Sequence, residues 1–199
     1  MRRVLKASAF WMASAAVVPA LLSYRTRAAV LGRDRALEGS TQALALVPGL
    51  VGQFLRRAFL TRVLAFCDRT VTVEFGTVFS RADARLDEHV YIGPRCHLGL
   101  VHLERDVLLA AGVHVPSGPD THGFSDPAIP IREQPGSPRL VRIGAGAWIG
   151  SAAVVMADVG AGSVVGAGAV VTRPLPACVL AAGVPAKILR RRDGVQRPA

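Results

Sequence analysis

From about residue 70 an aliphatic residue followed by a small or acidic one recurs along the chain: Leu86-Asp87, Ile92-Gly93, Leu98-Gly99, Leu103-Glu104, Leu109-Ala110, Ile143-Gly144, Ile149-Gly150, Val159-Gly160 and Val165-Gly166. Most steps are six, one is five, Val155 to Val159 is four, and residues 116–141 interrupt the series. The fourth residue after each aliphatic except Leu98 is also small or branched: Val90, Cys96, Val107, Val113, Ala147, Ala153, Ser163 and Ala169. A period of six matches no α-helix, but it holds three strand periods. It predicts a short strand plus a turn, wound three units to a coil, with successive coils paired as parallel strands. The aliphatic and small residues then fill a narrow prism, and glycine permits its corners. The expected class is an all-β solenoid. A β-sandwich would place turns every 8 to 12 residues and keep no sixfold register.

Ahead of the repeat the pattern is helical. Arg2, Arg3 and Lys6 precede an uncharged run from Ala7 to Leu22, broken by Pro19 and followed by Arg25 and Arg27. The run is shorter than the roughly 20 residues a bilayer span needs. It reads as a secretory signal, a core helix, or a membrane-associated helix with basic flanks on the cytoplasmic side. A second segment, Ala43 to Phe66, is interrupted by Pro48 and Gly49 and then continues as an amphipathic helix carrying Arg56, Arg57 and Arg62. The chain thus divides into a helical, basic segment over 1–69, a candidate for peripheral membrane contact through 1–66, a solenoid over 70–182, and a basic tail or short helix over 183–199.

Charge follows this division. Residues 1–69 hold 11 Lys and Arg against 3 Asp and Glu, residues 70–182 hold 8 against 10, and residues 183–199 hold 5 against 1. With the charge at the ends and only two Trp and two Tyr, no surface interleaves basic and aromatic residues, which argues against nucleic-acid binding. Cys67, Cys96 and Cys178 lack paired spacing, which points to a reducing compartment and away from a disulfide framework or zinc knuckle.

The sixfold pattern resembles the hexapeptide-repeat family, and the left hand of the parallel β-helix, with its α-helical N-terminal extension, is implied by that resemblance. IGAGAWIG (Ile143 to Gly150), VGAGSVVGAGAVVTRPLP (Val159 to Pro176) and AAGVPAKILRR (Ala181 to Arg191) are similar to segments of its acetyltransferases. Together with ALVPG (Ala45 to Gly49), they resemble the acyltransferases of cell-surface polysaccharide and lipopolysaccharide synthesis and the maltose/galactoside O-acetyltransferase group. The resemblance implies acetyl transfer from acetyl-CoA to a hydroxyl or amine of a sugar or glycan precursor, with no metal. It also implies a homotrimer with active sites between subunits, while the cysteine usage and the basic-flanked apolar front place the protein in the cytoplasm, with the cytoplasmic face of a membrane as a further candidate location.

Acetyl transfer needs a base and an oxyanion stabiliser, and the break in the repeats offers a loop on a rigid scaffold for the base. His122 stands in that loop among glycine and turn residues, where core packing does not explain it, and the family carries its catalytic histidine at this point. Asp120 or Asp126 are candidates to orient its imidazole, and Asp83 or Asp87 to bind acceptor hydroxyls. Trp148, preceding the inward Ile149, is expected to face outward; by resemblance it lines the coenzyme cleft, and a trimer contact is the alternative. The resemblance further assigns Gly150, Ala152, Ala167 and Gly168 to the pantetheine arm, and Lys187 and Arg190 to the phosphates of coenzyme A. Two other functions compete. His97, His102 and His114 resemble part of the ligand set of γ-type carbonic anhydrases, although no histidine precedes His89. A non-catalytic β-helix scaffold is the other.

Overall fold

The computed structural model describes residues 10–192. The basic start at Arg2, Arg3 and Lys6 and the last part of the tail lie outside these residues. A helical segment over 10–16, here α1, runs through a turn at Val17 into α2 (Val18–Leu31), followed by α3 (Arg33–Ala45) and α4 (Gly49–Val63). The strands then wind as a left-handed parallel β-helix. Its coils are β1 (Phe66–Cys67), β2 (Thr72–Val73) and β3 (Val78–Phe79); β4 (Arg85–Leu86), β5 (Tyr91–Ile92) and β6 (His97–Leu98); β7 (Val101–Leu103), β8 (Leu108–Leu109) and β9 (His114–Val115); and β10 (Val141–Ile143), β11 (Trp148–Ile149) and β12 (Val154–Val155). Above them lie β13 (Val164–Val165), β14 (Val170–Val171) and β15 (Val179–Ala182). The first strand therefore falls inside the segment whose sequence reads as helical.

Three faces result. Sheet A stacks β1-β4-β7-β10 and continues through bridges at Val159 and Leu175. Sheet B stacks β2-β5-β8-β11-β13-β15, and sheet C stacks β3-β6-β9-β12-β14. Leu86, Ile92, Leu98, Leu103, Leu109, Ile143 and Ile149 are wholly buried inside the prism, as the period requires. Each fully buried aliphatic side chain of this kind contributes roughly 1.5–3 kcal/mol relative to exposure.

The corners differ. Between sheets A and B the turn residues His89, Asp106, Gly146, Gly162 and Cys178 all have φ near +60°, and between B and C so do Arg95, Gly112, Ala152 and Gly168. Side chains pay for this left-handed conformation, and backbone bonds between stacked corners offset it, such as Gly168 N–H to the Ser151 carbonyl at 2.8 Å. Every irregular step falls at the third corner, between C and A. Inward positions there advance seven (Phe79 to Leu86), five (Leu98 to Leu103) and four (Val155 to Val159, then Val171 to Leu175) residues. The loop between β9 and β10 leaves from the same corner. The step of four is thus not a single departure but a property of this corner.

A stack of parallel strands ends in open edges, and both are covered. At the N-terminal end the Thr41 hydroxyl of α3 accepts from Phe79 N–H (3.1 Å) and donates to its carbonyl (3.3 Å). Buried Arg56 of α4 donates through Nε to the Val73 carbonyl (2.9 Å) and through Nη1 to the carbonyls of Val47 (2.7 Å) and Leu44 (3.1 Å). Burial pushes its pKa down. Arg56 therefore ties helices to strands and does not face lipid, which corrects that part of the amphipathic reading of α4. At the other end Lys187–Arg191 forms β16, antiparallel to β15. A short helix was one expectation for these residues; the free edge of β15 draws them into a strand.

Phe10, Ala13, Val17, Leu21 and Tyr24 are buried along α1 and α2, so one side of the apolar run is core. Trp11 (63% exposed), Met12 (73%), Val18 and Leu22 lie on the other side. Among the described residues no helix is long and apolar enough to cross a membrane. Cys67, Cys96 and Cys178 are free thiols, and burial pushes the Cys67 pKa up to about 12.

Candidate active site

The site develops where α3 meets the irregular corner. Asp34 in the first turn of α3 accepts from Ala82 N–H through Oδ1 (2.8 Å) and pairs through Oδ2 with Arg81 Nη1 (2.9 Å). That fixes the helix against the turn between β3 and β4. Between α3, the outer side of sheet C and the base of the 116–140 loop runs a groove of about 500 Å³. Its walls are Asp34, Arg35 and Glu38 of α3, Ser80 and Arg81, His97 and His114, and Pro116, Ser117, Thr121 and His122.

His97 and His114 are outward residues of β6 and β9 and sit in register. Their rings meet edge to face with centroids 4.9 Å apart, and Nδ1 of His97 lies 3.2 Å from Nε2 of His114. One nitrogen must donate and the other accept, so at least one ring is neutral. The pKa of His114 is lowered, first by burial and then by repulsion from a charged His97. Ser117 is buried; its Oγ accepts from Leu100 N–H at 2.9 Å and anchors the start of the loop to the scaffold.

His122 is exposed on the groove wall. Among the described residues no hydrogen bond joins it to Asp120 or Asp126. The Asp126 carboxylate instead accepts from Ala128 N–H (2.8 Å), and its backbone is clamped by Gln134 through both amide atoms. Asp120 contributes its carbonyl, to Ser137 N–H at 2.7 Å. Asp83 and Asp87 lie off the groove. Asp83 meets Arg33 at 3.4 Å, and Asp87 pairs with His102 Nε2 at 3.1 Å on sheet A. The carboxylates that share the groove lining with His122 are those of Asp34 and Glu38.

This geometry also separates the histidines of the metal reading. His102 belongs to sheet A, whereas His97 and His114 belong to sheet C. Among the described residues no group of three or more His, Cys, Asp or Glu could hold a metal ion.

The residues assigned to the coenzyme gather elsewhere. Trp148 points outward from sheet B and is 51% exposed, in register with Leu108 below and Val164 above. Gly150, Ala152, Ala167 and Gly168 cluster at the B–C corner of the two adjacent coils. A Cβ on Gly150 would lie 2.5 Å from Ala167 N, so coil stacking alone requires that glycine; Gly168 has nothing within 4 Å. Lys187 pairs with Ala182 at the same corner, while Arg190 pairs with Leu180 further along β16. Within one chain Trp148 and His122 occupy different faces of the prism.

Sequence reasoning grouped His97 and His114 with His102 and missed that the two stack in the groove that His122 lines. They are 17 residues apart, one coil with a five-residue step in it, and counting coils along the outward positions would have stacked them. The part played by Asp34, Arg35 and Glu38 had no such signal, because only the docking of α3 brings them there.

No protein-family model matches the sequence, and no curated protein matches it. The fold is that of the hexapeptide-repeat acyltransferases among solved structures. A maltose O-acetyltransferase from Clostridium difficile 630 aligns with TM-score 0.69 and 18% identity over 81% of this chain and 89% of its own. A hexapeptide-repeat acetyltransferase from Vibrio cholerae aligns with TM-score 0.67 and 19% identity, over 83% and 96%. A galactoside acetyltransferase in complex with coenzyme A aligns with TM-score 0.60 and 21% identity, over 80% and 81%.

Proposed function

We propose that this protein transfers an acetyl group from acetyl-CoA to a hydroxyl or amine of a sugar or glycan precursor, with His122 as general base. The observation that carries the reading is a groove holding His122, on the loop that breaks the repeats, in a fold shared with sugar acetyltransferases. In this reaction the His122 imidazole takes the acceptor's proton as the oxygen or nitrogen attacks the thioester carbonyl. The tetrahedral adduct collapses, the C–S bond breaks, and the imidazolium returns the proton to the departing thiolate. The hydroxyls of Ser80 and Thr121, with Glu38 and Arg35, suit a hydroxyl-rich acceptor.

A homotrimer follows from the same reading. The separation of His122 from Trp148, Ala167, Gly168 and Lys187 within one chain supports active sites completed by a neighbouring subunit. The exposed row of Tyr91, Leu108 and Trp148 on sheet B supports a covered face. Exposed Trp11, Met12, Val18 and Leu22, with Leu46, Leu50 and Val51 at the α3–α4 turn, support peripheral contact with the cytoplasmic face of a membrane. A lipid-linked sugar acceptor fits that location.

The test is thiol release from acetyl-CoA with a panel of nucleotide- and lipid-linked sugars, beside His122→Ala. Acceptor-dependent release by the wild type alone supports the reading. Equal release by both proteins removes His122 from the mechanism, and no release with any acceptor, together with no calorimetric binding of coenzyme A, favours a scaffold.

A further inference from the structure

A second cavity, of about 460 Å³, opens between α1 and the first coils, at the end of the β-helix away from β16. Phe10, Trp11, Arg57, Arg69, Thr70, Thr72 and His89 line it, with no carboxylate among them. Two arginines from separate elements flank one ring there: the guanidinium carbons of Arg57 and Arg69 lie 5.7 and 5.6 Å from the centroid of Phe10, and Arg57 also stacks on Phe54 at 4.7 Å. Neither has an ion-pair partner among the described residues. Arg57 makes one long bond, Nη1 to the Val71 carbonyl at 3.4 Å, and its buried Nε has no hydrogen-bond partner. The nearest acid in sequence, Asp68, engages its carboxylate with the N–H and hydroxyl of Thr70, at 2.7 and 2.5 Å, and pairs with neither arginine.

Gathering two like charges around one ring, with a buried donor unmet, is unfavourable in the empty site. A ligand carrying two negative charges and several acceptor oxygens would answer both deficits, because guanidinium forks match phosphate geometry. We propose that this cavity binds a phosphate monoester, held by Arg57 and Arg69, at a place separate from the groove of His122. The phosphate belongs either to a soluble molecule or to a lipid headgroup, and exposed Trp11 in the lining bears on the second source. Nothing in the proposal depends on acyl transfer.

The experiment uses the full chain and two probes: inorganic phosphate by calorimetry at low salt, and sedimentation with phosphatidylcholine vesicles with or without phosphatidic acid. Arg69 is exposed, so Arg69→Gln keeps the fold; Arg57→Gln is the second variant, with circular dichroism on both. Binding weakened about tenfold by either substitution is expected, the loss of one charge-assisted pair. If phosphate itself shows that loss, the ligand is soluble; if only phosphatidic acid vesicles do, it is a lipid. Absence of binding to both probes, or binding unchanged in both variants, overturns the proposal.

Discussion

Nδ1 of His97 lies 3.2 Å from Nε2 of His114, across the register of β6 and β9 in the wall of the groove that holds His122. Two imidazoles at this separation cannot both be cationic cheaply, and His114 is the one whose pKa falls. The pair therefore places at least one neutral imidazole in the wall of the groove that His122 also lines.

The pair makes stability depend on pH. Because the folded pKa of His114 is lowered, the unfolded chain binds its proton more readily, and stability rises as pH climbs through the ordinary imidazole value of 6.5. Acidification from about pH 8 to about pH 5 should lower the melting temperature, and His97→Gln should flatten that profile by removing the neighbouring charge. Calorimetric melting across the range checks both; a steeper profile in the variant would contradict the assignment.

For His122 the expected loss is in turnover. As the proposed base, exposed on a loop, it should cost about a hundredfold or more in kcat when changed to Ala, with the melting temperature unchanged. Steady-state kinetics beside thermal unfolding separates this from a structural defect.

Lys187→Ala should raise the apparent KM for acetyl-CoA several-fold with little change in kcat, since its proposed contact is with phosphates far from the reacting carbonyl. A loss confined to kcat would assign the side chain elsewhere.

The glycines of the repeat should divide by stacking. A Cβ on Gly160 would stand 2.3 Å from Ala177 N, and Gly160→Ala should cost about 3 kcal/mol through overpacking. Gly168→Ala meets nothing within 4 Å and should cost about 1 kcal/mol for its φ of +66°, a conformation Ala152 already adopts one coil below. Urea unfolding of the two variants measures the difference.

The period of six carries the prism by itself, because burying every sixth aliphatic residue leaves a wound chain few other ways to pair its backbone. Val159 and Val165 fill the core as their spacing implies, and Trp148 faces outward for the same reason. The break at residues 116–141 and the histidine within it were equally legible, since a loop that leaves a repeat needs no tertiary information to be seen. What the sequence could not decide was which elements would meet that loop. Arg56 reads as one more charge on an amphipathic helix, yet it is buried against the open edge of β2. Lys187–Arg191 reads as a tail, yet it pairs with β15 because an unpaired edge was there to receive it. Asp34 and Glu38 enter the groove only because Asp34 binds the turn at Arg81 and Ala82, a contact made 47 and 48 residues away along the chain. Periodicity records which side of an element is buried. It holds no record of which distant element comes to lie against it, and on that the composition of the candidate site depends.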